Sequence, residues 1–119
     1  MSVLSNLTLA SAAGVFIFGS VAGSQAEMIS RCVIEIDNAV FLDGPCNYLA
    51  EEDGSFTIGA GGDGIEASRY FAYVFIDEES VSAYWNGFPP ASRAHTPIEN
   101  LVRKGACLVG REARICAYK

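Results

Sequence analysis

Apolar positions along this chain come in two patterns. Residues 7 to 23, Leu-Thr-Leu-Ala-Ser-Ala-Ala-Gly-Val-Phe-Ile-Phe-Gly-Ser-Val-Ala-Gly, form one uncharged run. From Arg31 onward the apolar runs are short, rich in β-branched and aromatic residues, and separated by Gly, Pro, Asp and Asn. That second pattern predicts short strands joined by turns. Arg31-Cys32-Val33-Ile34-Glu35-Ile36 reads as a strand, Asp37-Asn38 as a tight turn, and Ala39-Val40-Phe41-Leu42 as the returning strand. Asp43-Gly44-Pro45 ends it. Pro45 has no N–H to donate, so it belongs at an edge or outside the ladder. Cys46-Asn47-Tyr48-Leu49 is a third short strand and Ser55-Phe56-Thr57-Ile58 a fourth, with a turn at Glu51-Glu52-Asp53-Gly54 between them.

Gly59-Ala60-Gly61-Gly62-Asp63-Gly64 reads as a loop. The densest aromatic stretch after the uncharged run follows, Tyr70 to Gly87, broken by the polar cluster Asp77-Glu78-Glu79-Ser80. It predicts a central hairpin with Val81, Ala83 and Trp85 on one face and Ser82 and Tyr84 on the other. Phe88 to His95 is a proline-led connection. Thr96-Pro97-Ile98-Glu99 carries a helix-start signature, with Ile98, Leu101 and Val102 on one helical face and Gly105 as a stop. One short helix is therefore expected near 97–104, with a strand at Leu101-Val102-Arg103 as the alternative. Ala106 to Val109 and Arg114 to Tyr118 close the chain as a last hairpin. The expected fold is all-β: a small antiparallel meander, built as a sandwich or open barrel. Asp-Gly pairs at 43, 53 and 63 mark its turns every ten residues.

The uncharged run ends in Ser24-Gln25-Ala26, a small-x-small site, so residues 1–26 read as a cleaved signal peptide and Glu27 to Lys119 as one domain. No basic residue precedes the run, which leaves an uncleaved anchor as the alternative. A domain of this size gains from covalent staples, and four cysteines in an exported chain imply two disulfides. A hairpin centred between Arg111 and Glu112 sets Cys107 opposite Cys116, which leaves Cys32 for Cys46. The crossed pairings stay open. Periplasmic or secreted localisation follows.

Charge is unevenly divided. Glu27 to Glu79 carries 12 acidic and 2 basic residues, whereas Ser80 to Lys119 carries 2 acidic and 6 basic ones. Net acidity argues against nucleic acid or an anionic membrane as partner and allows a basic protein.

Four segments, Gly44-Pro45-Cys46, Asp53-Gly54-Ser55-Phe56, Tyr84-Trp85-Asn86-Gly87 and Gly105-Ala106-Cys107 with Ala113-Arg114-Ile115-Cys116-Ala117, resemble a set of small exported proteobacterial proteins of unknown function. The resemblance spans nearly all of the chain after the leader. It implies a bacterial, periplasmic protein and assigns no site residues.

Candidate chemistry is sparse. Gly59, Gly61 and Gly64 spell G-x-G-x-x-G, but a dinucleotide site needs a helix and a βαβ unit to follow, and no cofactor is expected. Asp53, Asp63 and Glu66 beside these glycines resemble a single calcium-binding repeat without its partner copies. His95 is the sole histidine and stands three residues after Ser92, the one nucleophile–base pairing that a small hydrolase could use. One histidine and four cysteines committed to cystines exclude a metal site of zinc type. The strongest surface hypothesis is aromatic and basic: Tyr84, Trp85, Asn86, Arg93, His95, Arg103 and Lys104 as a protein-binding face. The expected function is a non-enzymatic exported protein binding another protein or the cell envelope. A purely structural envelope protein and, by analogy, an inhibitor of a wall hydrolase are the alternatives.

Overall fold

Runs of alternating apolar and polar residues can bury one face only, so each pairs with its neighbour along the chain. The computed structural model describes residues 26–62 and 64–119. In it the strands are β1 (Glu27–Ile36), β2 (Ala39–Ala50), β3 (Phe56–Ile58), β4 (Ala72–Ile76), β5 (Val81–Trp85), β6 (Thr96–Lys104), β7 (Cys107–Val109) and β8 (Ala113–Tyr118). All neighbours are antiparallel, and β8 returns to β1, from Arg31↔Tyr118 to Ile36↔Ala113, closing the sheet into a barrel. The meander expected from the sequence is present. Closure, rather than a sandwich or an open barrel, is what removes its edges.

Ile34, Tyr48, Phe56, Ile58, Val74, Ala83, Trp85, Leu101, Leu108 and Ile115 point inward and form one core. Side chains, not a channel, fill a barrel of eight strands at this girth. The hairpin alternation is as predicted: Ala83 and Trp85 are buried and Tyr84 is exposed.

Two stretches differ from the sequence reading for the same physical reason, a β-bulge. Ala39 to Ala50 is one continuous strand rather than two, with Pro45 inside it. The β1–β2 register shifts between Ile29↔Cys46 and Cys32↔Gly44, so Pro45 stands at the irregularity, where a missing N–H costs no regular ladder bond. The expected helix at 97–104 is β6. Ala83 pairs with Ile98 and Val81 with Leu101, so Glu99 and Asn100 together oppose the single residue Ser82, and Asn100 takes φ 62°. The extra residue turns Ile98 and Leu101, three apart, to the same side. A bulged strand thus imitates the spacing of an amphipathic helix.

Both disulfides are the favoured ones, Cys107–Cys116 expected from hairpin geometry and Cys32–Cys46 by elimination. Cys32–Cys46 lies within the main core, with its Cα atoms 5.9 Å apart. Cys107–Cys116 joins directly paired positions, Cα atoms 4.0 Å apart. Leu108 and Ile115 face the barrel interior, so this second bridge lies outside it, packed with Val33 in a small separate cluster. Arg114 lies over it, its Nη1 3.3 Å from Cys116 Sγ, and is held by Glu35 at 3.0 Å. Two cystines fit an oxidising compartment. The signal peptide expected at residues 1–26 lies, except for Ala26, outside the described residues.

The order of strands sorts the connections between two ends. The β1–β2, β3–β4, β5–β6 and β7–β8 connections share one end, which includes both long loops. The β2–β3, β4–β5 and β6–β7 turns share the other with the C-terminus.

Candidate functional site

The aromatic residues of the central hairpin divide by face. On the outer surface Thr57, Tyr73, Tyr84 and Pro97 are successive register partners across β3, β4, β5 and β6. Phe75 stands two residues further along β4 and meets Tyr84 edge to face, ring centroids 5.9 Å apart. Tyr73, Phe75 and Tyr84 are 39, 47 and 40 % exposed and lie on the paired strands β4 and β5. Isolated exposed aromatics need no explanation, but a contiguous strip rich in Tyr has the composition of interface cores.

Beyond Phe75 the strip runs into charge. The β4–β5 turn holds Asp77, Glu78 and Glu79, and the neighbouring β2–β3 turn holds Glu51, Glu52 and Asp53; all six are exposed. The two turns are tied together, because Ile76 N–H donates to Ser55 Oγ at 2.9 Å. Ser55 also fixes Asp53: its backbone N–H, 2.9 Å from Asp53 Oδ1, and its hydroxyl hold that carboxyl below the usual range. The two ion pairs among the described residues, Arg31–Asp43 and Arg114–Glu35, use none of the six. The result is an apolar strip ending in six uncompensated carboxylates.

The seven residues proposed from the sequence do not form one face. Tyr84 belongs to the strip. Trp85 is 5 % exposed, with its ring 4.9 Å from that of Phe41 in the barrel interior. Asn86 is 1 % exposed and joins three segments. Its Oδ1 accepts from Phe71 N–H at 3.0 Å, and its Nδ2 donates to Arg69 O at 2.9 Å and Ala91 O at 3.1 Å. Arg93 and His95 are exposed in the β5–β6 loop at one end of the barrel. Arg103 and Lys104 finish β6 at the other. The sequence reading missed Tyr73 and Phe75 as partners of Tyr84, although strand alternation in Tyr73-Val74-Phe75 marks both as facing away from Val74.

Ser92 and His95 are both exposed, and no hydrogen bond joins them among the described residues. Gly59 serves the backbone: at φ 85° a Cβ there would stand 2.7 Å from Tyr70 O. A strand, not a helix, follows the glycine loop, so the dinucleotide geometry is missing. Asp63 lies outside the described residues, and Glu66 is exposed. Among the described residues no three His, Cys, Asp or Glu side chains gather as metal ligands. No protein-family model, curated protein or solved structure matches this chain.

Proposed function

We propose that this chain is an exported, non-enzymatic binding protein of the periplasm or the extracellular space, and that it engages a basic partner protein through the Tyr73–Phe75–Tyr84 strip and the two acidic turns beside it. The observation that carries the reading is the junction itself, three exposed aromatics on paired strands, with Tyr84 opposite Tyr73 and in ring contact with Phe75, next to six exposed carboxylates on adjoining turns. Aromatic anchors supply most of the affinity at such surfaces, whereas surrounding charge sets partner choice and association rate. A basic partner meets both elements at once. An envelope role then follows from what the partner is, and a cationic wall hydrolase is one instance.

The test compares the wild type with a Tyr73→Ser, Phe75→Ser, Tyr84→Ser variant in binding a basic lysozyme, measured by calorimetry together with lytic activity. Saturable binding that weakens with salt and disappears in the variant supports the hydrolase instance. Unchanged lytic activity at equimolar protein, with no heat of binding, removes it. The general reading is then decided by retention of basic envelope proteins on wild type against variant. Equal retention by both proteins would overturn it.

A further inference from the structure

At the barrel end opposite the acidic turns there is an open cavity of about 990 Å³, within the size range of pockets that hold small molecules. Its floor is apolar. Phe41 is the centre of an aromatic cluster, with ring centroids 4.9 Å from Trp85, 5.1 Å from Tyr70 and 5.6 Å from Phe88. Ile36 and Ile98 line the same space, and Phe88, 69 % exposed, stands at its rim. The β5–β6 loop that carries Phe88 is pinned by Asn86, whose backbone C=O also accepts from Ala91 N–H at 2.8 Å. Across the opening, Asp37 N–H donates to Glu112 O at 2.8 Å, which fixes the β1–β2 turn against the β7–β8 turn. The mouth therefore has a fixed frame on both sides.

Its rim is charged unequally. Three of its lining residues, Asp37, Glu99 and Glu112, are acidic and one, Arg111, is basic, so the residues around the opening have a net charge of −2. Carboxylates attract a cation, and aromatic faces hold an ammonium group as well as an apolar body. A fatty or aromatic anion meets the same floor but is repelled at the rim.

We propose that the barrel mouth is a binding site for a small cationic amphiphile, an apolar chain or ring system bearing an ammonium group. The body lies against Phe41, Trp85 and Ile98 under Phe88, and the head sits among Asp37, Glu99 and Glu112. The site is at the far end of the barrel from the acidic turns, and it does not depend on the partner proposed above.

Trp85 is the chain's single tryptophan, so its fluorescence reports the floor directly. The full chain is titrated with decyltrimethylammonium, decanol and decanoate, each below its micelle concentration. The cation is expected to change the emission saturably and to bind at least tenfold tighter than decanoate. Asp37→Asn combined with Glu99→Gln and Glu112→Gln lowers cation affinity at least tenfold. Arg111→Ala, a surface change that keeps the fold, raises it severalfold. The Tyr73, Phe75 and Tyr84 serine variant leaves all three titrations unchanged, which separates this site from the outer strip. Absence of a saturable change, equal binding of decanol and the cation, or tighter binding of decanoate overturns the proposal.

Discussion

Asn86 is a buried polar side chain, 1 % exposed, that ties three segments together. Buried, it satisfies a donor and two acceptors from three separate loop positions, Phe71, Arg69 and Ala91. Removing it strands those groups away from water, and each orphaned group costs about 1–3 kcal/mol. Asn86→Ala is therefore expected to lower unfolding free energy by about 3 kcal/mol in urea titration, and an unchanged midpoint would contradict this role. An Asn-Gly pair is a turn signal in sequence, and Gly87, at φ 77°, opens the turn that follows Asn86. The sequence could not show that the amide faces inward, because that depends on two loops distant in sequence meeting over it. Asp53 supports a second prediction. Its carboxyl titrates lower in the fold than in the unfolded chain, owing first to the Ser55 N–H. The stabilisation is thus complete above the ordinary carboxylate pKa of about 3.9 and fades as pH falls through the depressed folded value. Asp53→Asn should flatten that part of the stability profile, measured by thermal unfolding from neutral to acid pH, by lowering the neutral value slightly while the two proteins converge in acid.

Among the elements, β6 shows where pattern reading fails and why. Thr96, Pro97 and Glu99 are good helix-start residues, and Ile98 with Leu101 has helical spacing, yet the segment is a strand pulled into line by its neighbours β5 and β7. Local propensity is weak against a closed ladder. The device that reconciles them is Asn100 at φ 62°, a conformation open to Asn and Gly and costly by about 1–2 kcal/mol for a β-branched residue. Asn100→Gly should keep stability within about 0.5 kcal/mol, whereas Asn100→Val should lose more than that. Equal stability of the two variants would place the bulge elsewhere. The cysteine pairing, by contrast, was legible, since a centred hairpin puts Cys107 opposite Cys116 without knowledge of the rest. Closed loops with sequence separations of 14 and 9 residues stabilise by roughly 3 kcal/mol each in the chain-entropy picture. A domain this small has about 5–15 kcal/mol in all. Loss of Cys32–Cys46 also opens the main core, while Cys107–Cys116 touches only the small outer cluster. A Cys32→Ala, Cys46→Ala variant should therefore melt lower than a Cys107→Ala, Cys116→Ala variant. The reverse order would contradict the assignment of one bridge to the interior.

For the whole molecule, the charge imbalance along the sequence becomes a spatial one. The acidic half supplies β1 to β4 and the first part of the β4–β5 turn, and the basic half supplies β6 to β8, so closure wraps two oppositely charged walls around one core. The imbalance could be counted from the sequence. That two acidic turns become neighbours, and that Tyr73, Phe75 and Tyr84 meet outside the barrel, could not, because both follow from register. The proposed basic face was likewise undone by topology: β6 runs the height of the barrel, so His95, in the loop just before it, and Lys104, at its far end, lie at opposite ends. What remains is the aromatic strip with its acidic end. A photoreactive phenylalanine analogue placed at Phe75 in the full chain, irradiated in the cells that make it, tests that surface most directly. It is expected to give a defined adduct with a basic protein, while the same group at Val40, 55 % exposed on another wall, gives none. No adduct at Phe75, or the same adducts at both positions, would contradict the account.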